Sequence, residues 1–347
     1  MSSLTAAHGD IQRIVKLDSN ENPYGMSPHA LMALTGALAS ASRYPDASGG
    51  QLRAAVATHN GVDMNQVVLG NGSNELLEMA STILLREGTS VVASRHSFAV
   101  YGLVSRSRAA RLVEVESRQL AVDLDAMANA VDNQTRLVFL GNPNNPTGSF
   151  AEGEAVRSLL AALPPTCVLV LDEAYIEFVS DAKRYDATTW LAHYPNLIIL
   201  RTFSKAYGLA GLRMGYALTS SLLAAALERV RQPFNSGVLG QAAALAALGD
   251  QNFVRQTVAL NSVQLERVRA ELAAMGLRTV DSEANFVLVE VTQAAEVIAR
   301  LQQRGIIVRP VANYGLPNHM RISIGTAEEN EKMLSALSLA LTPGVPA

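Results

Sequence analysis

The sequence predicts an α/β protein, with a large domain built on a mostly parallel sheet covered by helices and a smaller α+β domain beside it. Three observations predict this. Between about residues 67 and 220, short β-branched and apolar runs alternate with helical stretches. Those runs are continuously apolar rather than alternating, which is what strands buried on both faces require. After Arg231-Gln-Pro-Phe-Asn235 the pattern changes to long Ala/Leu helices followed by a few strands. At 347 residues the chain suits one large unit and one smaller one.

In order, the first large-domain strand is Val67 to Gly70, leading into a helix over 74–86. That helix carries Leu76, Leu77, Met79, Ala80, Ile83 and Leu84 on one broad stripe. Strands follow at Ser90–Ser94, Arg111–Val115, Arg136–Leu140, Cys167–Leu171, Leu197–Leu200 and Met214–Leu218. Long helices then occupy about 238–275. Strands at Asn285–Val289, Ile306–Arg309 and Met320–Ile324 and a helix near 328–341 complete the second unit. The expected division is 31–235 for the large domain, with 1–30 and 236–347 forming the small one. No internal repeat or low-complexity tract interrupts the pattern.

Apolar residues at 49% and charged residues at 17% describe a folded, enzyme-like chain rather than a disordered one. A net charge of −3 gives no reason to expect nucleic acid or an anionic membrane as partner. Cys167, the single cysteine, allows no intramolecular disulfide and lies in an apolar run, as a buried structural thiol would. With no leader-like start and no uncharged apolar run of about 18 residues, the cytoplasm is the expected compartment. His96 and His319 show no metal-ligand spacing, so no metal site is expected.

Chemistry concentrates at strand ends, where open α/β sheets keep their ligands. Of only four lysines, Lys205 lies in the polar turn into which the strand Leu197–Leu200 runs, Arg201-Thr-Phe-Ser-Lys-Ala-Tyr-Gly208. Desolvated there, it would lose its proton near neutral pH and attack a carbonyl, although a lysine taken alone is more often a solvated surface residue. Gly70-Asn-Gly-Ser-Asn-Glu75 would hold a phosphate with its amides and Ser73, or would simply be a turn with Ser73 or Asn74 as a helix cap. Gly141-Asn-Pro-Asn-Asn-Pro-Thr-Gly148 presents amide side chains, Asn145 in particular, on a stiffened backbone. Asp172, in Leu171-Asp-Glu-Ala-Tyr175, would pair with a cationic ring nitrogen; as an isolated residue it serves equally as a cap or an ion-pair partner. Arg213, eight residues after Lys205, suits a phosphate oxyanion.

With these residues in view, the sequence resembles the fold type I pyridoxal-phosphate enzymes of the aminotransferase class I/II superfamily. Within it, the chain is most similar to the histidinol-phosphate aminotransferase family. The likeness runs from Val15-Lys-Leu-Asp-Ser-Asn-Glu-Asn-Pro-Tyr-Gly25 to Arg321-Ile-Ser-Ile-Gly-Thr326. Arg43-Tyr-Pro-Asp46, Arg231-Gln-Pro-Phe-Asn235 and Arg309-Pro-Val-Ala-Asn-Tyr-Gly315 resemble that branch specifically.

The resemblance implies that the large domain binds pyridoxal 5'-phosphate, with Lys205 as the covalently linked lysine. It places Asp172 at the pyridine nitrogen, Tyr175 and Asn145 at the ring's 3-oxygen, and Ser73, Asn74, Ser204 and Arg213 at the phosphate. Tyr44 would reach the phosphate of the other subunit's cofactor, implying a homodimer. Arg321 matches the family's anion-binding arginine, with Arg309, Asn22 and Tyr24 as further substrate contacts. Phe98 stands where the family usually stacks a tyrosine, which keeps the stacking and loses a phenol. The segment ahead of Asn20 is short for the family, which implies a reduced arm toward the partner.

The activity implied is reversible amino transfer between L-histidinol phosphate and 2-oxoglutarate in histidine biosynthesis. Aromatic amino-acid transfer, or decarboxylation of threonine phosphate, are rivals within the same fold. A cofactor-binding transcription regulator is disfavoured by the acidic balance and the lack of a helix-turn-helix pattern ahead of the fold.

Overall fold

The computed structural model describes residues 14–342. Its elements begin with β1 (Val15–Leu17), α1 (Pro28–Ala37), α2 (Gly50–Asn60), β2 (Val67–Asn71), α3 (Gly72–Leu84), β3 (Ser90–Ser94) and α4 (Val100–Ser107). Next come β4 (Arg111–Val115), α5 (Leu124–Asn129), β5 (Thr135–Gly141), α6 (Gly153–Ala162), β6 (Val168–Asp172), β7 (Leu197–Thr202) and β8 (Met214–Thr219). The chain then forms α7 (Ser221–Val230), α8 (Val238–Gly249), α9 (Gln251–Ala274), β9 (Phe286–Glu290) and α10 (Ala294–Gln303). It ends with β10 (Ile306–Pro310), β11 (His319–Ser323) and α11 (Ala327–Leu341). Of the short segment ahead of Asn20, residues 1–13 lie outside the described residues.

Seven strands make the large sheet in the order β2-β8-β7-β6-β5-β3-β4. All run parallel except β8, which is antiparallel to both its neighbours. The continuous apolar runs have a direct cause. Leu169, Leu171, Leu197 and Ile199 enter the core on one face of the sheet, and Val168, Val170, Ile198 and Leu200 the core on the other. Helices on both faces leave no water-facing side to encode as polar residues. The reversed β8 follows β7 through a loop with no crossover helix, which only an antiparallel neighbour permits.

The smaller sheet has the order β1-β10-β11-β9 and its own core, including Val287, Leu301, Ile322, Met333 and Leu337. Here β1 pairs parallel with β10, so the start of the described chain closes the sheet made by its end.

The Ala/Leu stretch expected over 238–275 divides into two helices at Asp250, whose carboxylate accepts from the Phe253 amide at 3.2 Å and caps α9. Helix α8 packs with the large sheet: Ala243, Ala244, Ala247 and Leu248 share a core with Ala30 of α1 and with Leu52 and Val56 of α2. The large core thus reaches well past residue 235, through α8 to Val254 of α9 and Phe286 of β9. An alanine-rich helix presents small side chains on every face, so its own pattern does not say which neighbour it will join.

Candidate active site

The carboxyl ends of β2, β5, β6 and β7 open on one cavity of about 250 Å³, closed from the other side by the small sheet. The loop after β7 brings Ser204 and Lys205 to it, β6 ends in Asp172, and β11 supplies Arg321.

Lys205 is partly buried, and its Nζ donates to the Ser19 carbonyl at 3.0 Å and lies 5.6 Å from the centre of the Tyr175 ring. Burial pushes its amine down to about 7, with Arg321 and Arg213 adding like charge. Near neutrality a large share of the side chain is therefore an uncharged nucleophile. The other three lysines have no such setting. Lys16, Lys183 and Lys332 are exposed and held in ion pairs with Asp18, Glu283 and Glu328 at 3.0, 2.8 and 2.7 Å.

Asp172 is buried, accepting from the Tyr101 hydroxyl at 3.0 Å and the Ala174 amide at 3.2 Å. Among the described residues no cation is ion-paired with it. Burial accordingly pushes its carboxyl up to about 6 against those two hydrogen bonds. It caps no helix, and of the roles open to it in the sequence neither the cap nor the ion pair is observed.

Tyr175 is buried and held by two amides: its hydroxyl accepts from Asn20 Nδ2 at 3.0 Å and Asn145 Nδ2 at 3.4 Å. Burial pushes its phenol up to about 12, so it stays protonated. Asn145 Oδ1 in turn accepts from Arg321 Nη1 at 2.5 Å, while Arg321 Nη2 donates to the Asp18 carbonyl at 2.6 Å. The buried Arg321 Nε has no partner among the described residues. Arg309 lies opposite Arg321 in register, more exposed and at the same cavity.

Ser73 and Asn74 sit in the first turn of α3, a helix whose N-terminus no side chain caps. Capping by Ser73 or Asn74 is therefore not what the structure shows. Arg213 crosses this turn, donating to Ser204 Oγ at 3.4 Å and the Ala210 carbonyl at 3.0 Å. Its path explains Gly72. At φ +73° a Cβ on that residue would stand 2.4 Å from Arg213 Nη2. Arg213 itself is left-handed at φ +55°, a strained conformation for a side-chain-bearing residue.

Phe98 lines the cavity and meets Tyr101 edge-on at 5.8 Å. Two expected residues are elsewhere, and Tyr44, expected at the other subunit's cofactor, also lies outside this cavity. Asn22 lies off this cavity, where its Nδ2 donates to the Ala206 carbonyl at 3.0 Å and its Oδ1 accepts from the Tyr24 amide at 3.0 Å, bracing the loop that carries Lys205. Tyr24 is likewise absent from the lining. Tyr44 is 82% exposed and stacks on Phe234 at 4.5 Å, away from the cavity of its own chain.

Sequence reasoning missed Asn20, Tyr101, Thr202 and Tyr314. Thr202 Oγ1 accepts from the Ser204 amide at 3.1 Å and so shapes the turn before Lys205. For Tyr101 a signal existed: it follows Phe98 by three residues, the spacing that puts two aromatic rings on one side of a starting helix.

The aminotransferase class I and II family model matches residues 12–337. The chain is 50% identical over 333 residues to histidinol-phosphate aminotransferase 2 of Ralstonia nicotianae, covering 95% of this chain and 89% of that protein. It is 47% identical to histidinol-phosphate aminotransferase 1 of Cupriavidus pinatubonensis, covering 94% and 88%. Among solved structures, histidinol-phosphate aminotransferase from Sinorhizobium meliloti in complex with pyridoxal-5'-phosphate superposes with a TM-score of 0.90. That match is at 31% identity and covers 98% of this chain and 97% of the other.

Proposed function

This chain belongs to the aminotransferase class I and II family, and from that premise we propose that it is a pyridoxal-phosphate-dependent histidinol-phosphate aminotransferase. One observation carries the cofactor. Asp172 is a buried carboxylate without an ion-pair partner among the described residues, and it lines the same cavity as a lysine whose amine is pushed down to about 7. A ligand with a protonatable ring nitrogen and a carbonyl answers both needs at once.

The remaining residues fit that ligand. The uncapped turn of α3 with Ser73 and Asn74, together with Ser204 and Arg213, offers amides, hydroxyls and a guanidinium for its phosphate. Asp172 would hold the ring nitrogen in its protonated form. Tyr175, kept protonated by burial, and Asn145 would bond the ring's 3-oxygen. Phe98 would cover the ring face. When bound, the cofactor supplies an electron sink conjugated to the substrate carbon that reacts.

Lys205 would hold the group through its amine. With that amine free, its Nζ would take the proton from the substrate's amine-bearing carbon and later return one. Its retention by the Ser19 carbonyl keeps the nitrogen at the cavity. Arg321 and Arg309 form one anion site, which suits the phosphate of histidinol phosphate and the carboxylate of 2-oxoglutarate in turn. Burial of Arg321 weakens competition from water for its free Nε.

The active unit we propose is a homodimer in which Tyr44 reaches the partner's cavity. The exposed Tyr44–Phe234 stack, with Leu31, Met32 and Leu38 also exposed on the α1 side, supports such a face. The proposed compartment is the cytoplasm. Among the described residues no helix is long and apolar enough to cross a membrane.

Turnover with 2-oxoglutarate and matched concentrations of L-histidinol phosphate, phenylalanine and threonine phosphate tests the reading. Histidinol phosphate should give the highest kcat/KM. A preference for phenylalanine, or release of carbon dioxide from threonine phosphate, overturns the substrate.

A further inference from the structure

We propose that Tyr101 is the positioning residue for Asp172, its neutral hydroxyl fixing the carboxylate in place while leaving the full negative charge for the ring nitrogen of the bound cofactor. The inference rests on the cofactor reading above and goes beyond it, because it gives Tyr101, which that reading leaves out, a role exerted through Asp172.

The geometry that supports it is rigid. Tyr101 lies in the first turn of α4 and is 2% exposed. Its ring stacks on Phe139 at 4.8 Å and 9°, and takes Phe98 edge-on at 5.8 Å and 90°. Held from two sides, the ring aims its hydroxyl at one acceptor, Asp172 Oδ2 at 3.0 Å. Gly141 leaves the room: a Cβ there would stand 3.1 Å from the Tyr101 hydroxyl.

The identity of the donor matters more than its presence. An arginine or lysine beside Asp172 would hold the carboxylate equally well, but would consume its charge in an ion pair before any ligand arrived. A phenol cannot do so. Burial pushes the Tyr101 phenol upward, so it keeps its proton and stays a donor over the working pH range. The hydrogen bond favours the ionised form of Asp172 against the burial that opposes it. Because Tyr101 also carries the edge of Phe98, one side chain sets both the carboxylate and the aromatic surface expected to cover the ring.

Tyr101→Phe removes the hydroxyl and keeps both ring contacts. Holoenzyme and cofactor-free protein are compared for three readouts: the cofactor's dissociation constant, the pH titration of its visible absorbance band, and kcat against KM. Loss of a hydrogen bond to a charged group should weaken cofactor affinity and lower kcat by about tenfold or more, with the donor KM almost unchanged. The band should titrate at a different pH. In an Asp172→Asn background the same change should do almost nothing further.

A fluorinated tyrosine at 101, a stronger donor of the same shape, should move the band in the direction opposite to Tyr101→Phe. This variant keeps the test open if the phenylalanine protein folds poorly. Affinity and band within twofold of wild type after Tyr101→Phe, or equal losses with and without Asp172, would overturn the proposal. Wild-type protein that takes up no cofactor would instead sink the underlying reading, so the two failures are distinguishable.

Discussion

Replacing Asp172 with asparagine should push activity and stability in opposite directions. The change preserves size and can keep the hydrogen bonds from Tyr101 and Ala174, but deletes a buried charge. Opposite unit charges about 4 Å apart attract by about 4 kcal/mol at an effective dielectric of 20. Most of that contact strengthens as the ring becomes an electron sink, so kcat/KM for amino transfer should fall by about a hundredfold to a thousandfold. Folding of the cofactor-free protein should respond the other way. Burial raises the Asp172 carboxyl from its ordinary 3.8 to about 6, so the folded state binds the proton more tightly than the unfolded chain does. Stability from this group is present below the ordinary carboxylate range and lost as pH rises through about 6. The loss approaches about 3 kcal/mol for a shift of this size. The substituted amide has no proton to lose, so thermal melts of Asp172→Asn should lack that decline and lie at or above wild type beyond about pH 6. Activity within a few-fold of wild type would mean that Asp172 is structural. A variant that melts well below wild type at neutral pH would show that the carboxylate stabilises the fold, and the reasoning from burial would fail.

Two further outcomes follow from the same site. Borohydride reduction of the holoenzyme and peptide mapping should mark Lys205, whereas a label on Lys16, Lys183 or Lys332 would refute the assignment. Cofactor capture by the cofactor-free protein should speed up as pH rises through about 7, because the reactive neutral amine is populated above that value. For the assembly, mixing a Lys205→Ala subunit with a Tyr44 variant already shown to be impaired should restore one good site per heterodimer. The homodimer interface should bury more than roughly 2,000 Å², and a monomer in sedimentation at assay concentration would refute the shared site.

Much of the scaffold and the chemistry is legible in the chain alone. Strands buried on both faces must be apolar throughout, and β3, β6 and β7 announce themselves that way. A lysine in the turn after such a strand, an aspartate at the end of another and a glycine-rich turn before a helix mark the ends where ligands bind, since the residue types themselves carry the chemistry. Local pattern does not record which distant residues meet. Tyr101 and Asp172 are 71 positions apart, and Asn145 and Arg321 are 176 apart. Packing of α4 on the large sheet decides that a phenol holds Asp172, and closure of the two sheets on each other that a guanidinium holds Asn145. The same holds for α8, whose alanines fit any neighbour, and for the direction of β8, because an apolar run reads alike in both senses. Asn22 looks like a site residue from its motif, and the tertiary structure turns it to the loop behind Lys205, where an amide with donor and acceptor can bond two backbone groups at once.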